Sequence, residues 1–129
     1  MKSKSKPFIR KAVAYARFSS NNQREESIDA QLRAIGDYCE REDIQLVEIY
    51  TDEAQSATSD NRDDFMVMID AILKGKITDI DAVLVHKFNR FARNKYDSAL
   101  YKKRLRDMGI KVISVTQPID DSPEGRILE

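Results

Sequence analysis

The chain has 129 residues, of which 41% are hydrophobic, and this length and composition fit one domain with a single core. Its 22 basic and 22 acidic side chains cancel, which excludes a domain that binds nucleic acid through a large excess of positive charge. The single cysteine, Cys39, excludes an internal disulfide, and we expect it to be a core residue of a cytoplasmic protein. No apolar run has the length of a transmembrane helix or the pattern of a signal peptide, so we expect no membrane partner.

The first predicted element is a strand from Lys11 to Phe18, which follows a basic, polar segment, residues 1–10, that we expect to be a flexible tail. Side chains two apart share a face of a strand, so Arg17 and Ser19 are expected to point the same way where this strand ends. A hydroxyl beside a guanidinium suits attack on an anion such as a phosphodiester better than it suits peptide hydrolysis. The alternative is that Arg17 pairs with a carboxylate and Ser19 caps a turn.

The rest of the chain alternates between predicted helices and strands. In order, they are a helix over residues 27–41 with Ser27 as its N-cap, a strand over 44–51, a helix from about residue 63 that ends before Gly75, a strand over 82–85, a helix over 94–108 that ends at Gly109, and a strand over 110–116. This order predicts an α/β fold with three layers, α/β/α, around a mostly parallel sheet of four to five strands. The strand at 82–85 is apolar throughout, so we expect it in the centre of the sheet.

Polar side chains follow three of the predicted strands, and ligands of parallel sheets bind outside the carboxyl ends of the strands. They are Arg17 and Ser19, then Asp52 and Ser56, then Lys87, Asn89, Arg90 and Arg93. Arg90 and Arg93 lie three apart just before a helix, where two guanidiniums and a helix N-terminus form an anion site. The alternative for this segment is a solvated basic patch above packed Phe88 and Phe91. Three converging arginines repel each other unless an anion lies between them, and Asp52 supplies only one carboxylate.

Five segments, in chain order, resemble motifs of the serine recombinases, the superfamily of resolvases, invertases and large serine integrases. They are residues 15–23, 27–31, 50–62, 86–94 and 118–126. The resemblance covers nearly the whole chain and is strongest to the catalytic domain of the large integrases. It implies a resolvase-like fold of flavodoxin-like topology over residues 11–129 and a function in site-specific DNA recombination.

The resemblance identifies Ser19 as the nucleophile, and Ser20 falls on the opposite face of the strand from Arg17. It matches four residues to the phosphate-binding arginines of the family: Arg17, Arg62, Arg90 and Arg93. It matches six others to supporting polar residues: Gln23, Gln31, Asp52, Ser56, Lys87 and Asn89. The family usually has aspartate where this chain has Asn89, and an amide can orient a neighbour but cannot shuttle a proton. The base for Ser19 stays open between Asp52 and an arginine-bound water.

The implied reaction is phosphoryl transfer, in which Ser19 attacks a DNA phosphodiester and leaves a 5′-phosphoserine link and a free 3′ hydroxyl. Because one phosphodiester replaces another, strand exchange and religation need no ATP. We expect no cofactor and no metal, and we expect the only histidine, His86, to be structural. The expected partners are double-stranded DNA, bound mainly through domains beyond residue 129, and further copies of the full-length protein in a dimer or tetramer. The segment is expected to end before the dimerisation helix and to be inactive by itself.

Two other functions remain open from the residues. A flavodoxin-like sheet could use the anion site to bind a phosphorylated small molecule, although no glycine-rich phosphate loop follows the first strand. A non-catalytic DNA-binding or assembly module is the second, with Asn89 marking lost activity.

Overall fold

The computed structural model describes residues 10–18, 26–53, 64–92 and 95–116. Its elements, in order, are strand β1 (Lys11–Phe18), helix α1 (Ile28–Glu42), strand β2 (Gln45–Glu53), helix α2 (Asp64–Leu73), strand β3 (Ala82–Val85), a 3₁₀ turn (Phe88–Arg90), helix α3 (Lys95–Asp107) and strand β4 (Lys111–Ser114). The four strands form one parallel sheet in the order β2-β1-β3-β4. The predicted α/β fold is therefore confirmed.

Helices cover both faces of the sheet, because the strands bury their side chains on both sides. On β1, Val13 and Tyr15 face a core that α2 and α3 complete, whereas Ala12 and Ala14 face α1. Cys39 lies in the α1 core and is 6% exposed, as predicted, and burial raises the pKa of its thiol. All four residues of β3 are buried, which confirms its central place in the sheet.

The ends of the helices follow the local signals in the sequence. The Ser27 hydroxyl accepts a hydrogen bond from the Ala30 amide at 3.1 Å and caps α1. Gly75 and Gly109 follow α2 and α3 with φ of 78° and 83°, a left-handed conformation that favours glycine at a helix end. Within the residues that the structure describes, no helix is long and apolar enough to cross a membrane.

One boundary differs from the prediction in a way that affects the site. Strand β2 continues to Glu53, so Asp52 lies inside the strand and not in a loop after it. The reason is pairing, because β1 runs to Phe18 and its last residues pair with β2, Arg17 opposite Asp52 and Phe18 opposite Glu53. Strand β4 is shorter than predicted, since its paired residues end at Ser114.

The chain reverses its direction across the sheet between β1 and β3. It leaves β1 for β2 on one side, then returns past β1 to β3 and β4 on the other. At such a switch point the loops after two neighbouring strands diverge to opposite faces and leave a crevice, which is where open α/β sheets bind ligands. The carboxyl ends of β1 and β3 border this crevice.

Candidate active site at the carboxyl edge of the sheet

The described ranges contain six of the eleven predicted site residues, namely Arg17, Gln31, Asp52, Lys87, Asn89 and Arg90. The other five lie outside the described residues, namely Ser19, Gln23, Ser56, Arg62 and Arg93. Their proposed roles stay predictions. Residues 1–9 of the expected tail and the segment resembling the family at 118–126 also lie outside these ranges.

Arg17 connects the ends of the two central strands. Its Nη2 donates a hydrogen bond of 3.1 Å to the backbone oxygen of Asn89, a residue 72 positions away in the turn after β3. The side chain of Asn89 in turn accepts a hydrogen bond of 3.1 Å from Nε of Arg90. Asn89 therefore contacts both guanidiniums, one through its backbone and one through its amide oxygen.

The guanidinium of Arg17 has a donor without an acceptor. Among the described residues, its buried Nε finds no hydrogen-bond acceptor and the side chain forms no ion pair. A buried donor left unpaired costs about 1–3 kcal/mol, and more when the group is charged. Because phosphate oxygens accept such hydrogen bonds from arginine strongly, this donor is suited to a bound anion.

Gln31 holds the backbone at the end of β1. Its side chain is 1% exposed, and Nε2 donates to the backbone oxygens of Arg17 and Glu26, both at 2.9 Å. Its Oε1 accepts from the Arg17 amide at 3.3 Å. The amide of Gln31 thus pairs with both backbone groups of Arg17, as a neighbouring strand does. Gln31 therefore holds the backbone of Arg17, which lies two positions before Ser19 in the chain.

Asp52 is bound to the start of α2. Its Oδ2 accepts from the Tyr15 hydroxyl at 2.7 Å and from the Phe65 amide at 3.0 Å, and its Oδ1 accepts from the Asp64 amide at 2.8 Å. Amides in the first turn of a helix have no partner within the helix, and the positive end of the helix dipole favours a carboxylate there. The carboxylate of Asp64 reciprocates, because its Oδ2 accepts from the Thr51 amide at 3.3 Å.

Tyr15 was not among the site residues predicted from the sequence. It is the first residue of the segment 15–23 that resembles the family, but no role was predicted for it. Its ring is completely buried and its hydroxyl binds Asp52. A buried tyrosine hydroxyl usually has a hydrogen-bond partner, and Tyr15 lies two residues before Arg17 on the same strand face. Those two facts were the available signal.

The remaining described residues of the edge have simpler surroundings. Lys87 is exposed, and the backbone oxygen of His86 accepts from the hydroxyls of Ser114 and Thr116 at 3.0 and 2.7 Å. Burial lowers the pKa of His86, with the charge of Lys87 as the next cause.

Ala92 has φ of 74°, a strained conformation for a residue with a Cβ, and it directly precedes Arg93 in the chain. Nowhere in the described ranges does a group of three histidine, cysteine or acidic residues form a metal site.

Comparisons with known proteins agree with this architecture. The family model for the resolvase N-terminal domain matches residues 12–129. The N-terminal catalytic domain of TP901-1 integrase is 27% identical, with a TM-score of 0.70 over 92% of this chain and 88% of that one. A resolvase family site-specific recombinase from Streptococcus pneumoniae is 30% identical, with a TM-score of 0.72 over 87% of this chain and 76% of that one. The catalytic domain of ISC1926 TnpA, at 22% identity and a TM-score of 0.64 over 92% of this chain and 75% of that one, shares the fold. Curated protein sequences gave no match.

Proposed function

Since the chain belongs to the resolvase N-terminal domain family, the catalytic domain of serine recombinases, we propose that it cuts and rejoins DNA at specific sites through Ser19. One observation carries the proposal. At the switch point of the sheet, Nη2 of Arg17 donates to the backbone oxygen of Asn89 and Nε of Arg90 donates to its amide oxygen, both at 3.1 Å. Within the described residues, the buried Nε of Arg17 has no acceptor. Two guanidiniums at this position form a site for a phosphodiester.

In the proposed reaction, the Ser19 oxygen forms a bond to phosphorus as the bond from phosphorus to the 3′ oxygen breaks. The proton of the hydroxyl leaves with a base, and the departing 3′ oxygen takes up a proton. The products are a 5′-phosphoserine link and a free 3′ hydroxyl. Because the link conserves the energy of the phosphodiester, strand exchange and religation proceed without ATP.

The arginines stabilise the charge on the phosphate as the bonds change. Arg17 and Arg90 do so from the described edge, and we assign the same role to Arg62 and Arg93 by their match to the family. Loss of one preorganised donor typically costs about 2.7–4 kcal/mol of barrier. Gln31 supports Arg17 through its backbone. Gln23, Ser56 and Lys87 are proposed as further polar support.

Asn89 is compatible with an active site despite its departure from the aspartate of the family. Its backbone oxygen accepts from Arg17, a contact that any residue at this position can make. Its amide oxygen accepts from Arg90 Nε as a carboxylate oxygen would. We propose that Asn89 orients the two arginines and transfers no proton.

We propose double-stranded DNA as the substrate and self-association to a dimer or tetramer as the active assembly, in the cytoplasm. The 22 basic and 22 acidic residues balance, so this domain has no excess of positive charge with which to bind DNA tightly. This supports the proposal that polypeptide outside residues 1–129 supplies most of the affinity for DNA and the recognition of its sequence. In the same proposal, the segment alone is inactive.

The test is covalent trapping. The protein that carries this chain is incubated with DNA bearing its recombination site, and the reaction is stopped with detergent. We expect a protein–DNA adduct whose linkage maps to Ser19, which disappears in Ser19→Ala and persists in the neighbouring control Ser20→Ala. An adduct that survives Ser19→Ala assigns the nucleophile elsewhere. Absence of any adduct, together with thermal stabilisation by flavin mononucleotide, would favour a binder of phosphorylated ligands.

A further inference from the structure

We propose that Tyr15 and Asp52 are a pair of positioning residues that fix the start of α2, and that Asp52 is not the base for Ser19. This inference rests on the proposed function, because it concerns what the pair does for the cleavage step. It selects between the two candidates for the base that the sequence left open. Tyr15, for which the sequence predicted no role, becomes a functional residue.

The carboxylate of Asp52 is already engaged. Ionised carboxylates have about four acceptor sites. Three of them are occupied here, by the Tyr15 hydroxyl and by the amides of Asp64 and Phe65, at 2.7 to 3.0 Å. All three donors belong to the strand β1 or to the first turn of α2. This arrangement anchors a helix and leaves about one acceptor site of the carboxylate, whereas a base needs a free acceptor directed at the hydroxyl whose proton it takes.

The anchor connects the two ends of an active-site segment. Asp52 stands near the end of β2, and the amides it binds open α2, so the pair closes the chain between them. The Asp64 carboxylate binds back to the Thr51 amide at 3.3 Å and makes the closure reciprocal. In the sequence, Ser56 and Arg62 lie between these two ends.

The ring of Tyr15 also links α2 to the turn that carries Arg90. It packs edge-on against Phe65 of α2, with centroids 5.3 Å apart and planes at 67°. Phe65 packs in the same manner on Phe91, at 5.0 Å and 81°, and Phe91 directly follows Arg90. Tyr15 itself lies two residues before Arg17 on β1. One buried tyrosine thus connects β1, α2 and the turn that carries Arg90.

The experiment compares Tyr15→Phe, Asp52→Asn and the double variant with the native protein. Tyr15→Phe removes only the hydroxyl and keeps the ring. Tyr101→Phe is the matched control, because Tyr101 packs on the same Phe65 ring at 5.6 Å but is not bound to Asp52. The rate of covalent adduct formation on recombination-site DNA is measured at saturating protein from pH 6 to 9, well below the unfolding temperature of each variant.

We expect Tyr15→Phe to form the adduct about tenfold to a hundredfold more slowly, since small misplacements of catalytic groups cost that much. The protein concentration that half-saturates the DNA should not change. A slower rate with unchanged binding is not what a merely destabilised fold would give. Asp52→Asn should be slowed by a constant factor at every pH, and the double variant should be hardly slower than the single ones. Tyr101→Phe should cleave at the native rate.

Three results would overturn the inference. Native cleavage by Tyr15→Phe combined with a changed pH dependence in Asp52→Asn identifies Asp52 as the base. Native rates in both variants show that the pair has no role. The third comes from hydrogen exchange without DNA: the Asp64 and Phe65 amides should exchange at least about tenfold faster in Tyr15→Phe, and unchanged exchange contradicts the anchor.

These outcomes are separate from failure of the proposed function. If the native protein forms no Ser19 adduct, the recombinase proposal fails, while the exchange rates still decide whether the anchor exists. If the native protein forms the adduct and Tyr15→Phe does so equally fast, only the present inference fails. Should Tyr15→Phe not fold, Asp52→Asn gives the same rate and exchange comparisons.

Discussion

Replacement of Gln31 by methionine tests how the end of β1 is held. Methionine has nearly the same shape as glutamine but neither its donors nor its acceptor. The substitution therefore removes the bonds from Nε2 to the backbone oxygens of Arg17 and Glu26 and the bond from the Arg17 amide to Oε1. The strand end loses its partner while the volume of the core is conserved.

The expected loss follows from the groups left unpaired. Glu26 is exposed, so water can bind its backbone oxygen, and that bond contributes little. The backbone amide and oxygen of Arg17 are only partly accessible, and each costs about 1–1.5 kcal/mol when unpaired, near the lower end of the usual range. We expect the free energy of unfolding to fall by about 2–3 kcal/mol, a large part of the roughly 5–15 kcal/mol typical of a domain.

Urea unfolding followed by far-ultraviolet circular dichroism is the suitable assay, because the chain has no tryptophan. The transition midpoint should fall with an unchanged slope, which indicates a loss of stability without a change in compactness. Gln45→Met is the matched control, since Gln45 is exposed on β2, and it should stay within about 0.5 kcal/mol of the native chain. An equally small loss for Gln31→Met would refute the reasoning.

A second substitution at the same position adds a pH dependence with a defined sign. The carboxyl introduced by Gln31→Glu faces two backbone oxygens, and this repulsion together with burial raises its pKa in the folded state. The folded state then binds the proton more tightly than the unfolded state does. Stability of the variant should be greatest below about pH 4 and fall as the pH rises through the folded pKa. A flat difference from the native chain across pH 3–8 would contradict this.

Three further predictions concern the site and its surroundings. Arg17→Lys should slow adduct formation by about 10²–10³-fold, because lysine lacks the planar fork of donors, and a near-native rate would remove Arg17 from the phosphate site. Asn89→Asp should cleave within about tenfold of the native rate, since a carboxylate oxygen can also accept from Arg90. Asn89→Leu, which has no acceptor, should cleave about tenfold or more slowly than Asn89→Asp. A large acceleration in Asn89→Asp would instead indicate proton transfer at this position. Because burial lowers the pKa of His86 below 6.5, native stability should decline as the pH falls through that region, and His86→Gln should flatten this slope in acid titrations of unfolding.

The secondary structure followed from local patterns. The bounds of β1 and β3 matched their prediction because apolar alternation and an unbroken apolar run are properties of neighbouring residues. Ser27, Gly75 and Gly109 marked helix ends for the same reason, since caps depend on one or two residues. The motifs that match the family were likewise short and contiguous.

The contacts of the site depended on distant residues, and these only the tertiary structure decided. The sequence predicts Asp52 to be a loop residue, yet pairing with Arg17 extends β2 past it. Its carboxylate accepts a hydrogen bond from the hydroxyl of Tyr15, 37 positions away. The resemblance to the family marked Gln31 as a supporting residue, but that its amide binds the backbone of Arg17 is shown only by the tertiary structure. Residue types and their order therefore determined the fold class and the family. Which polar group pairs with which was decided by the sheet, because it brings together groups that the chain keeps far apart.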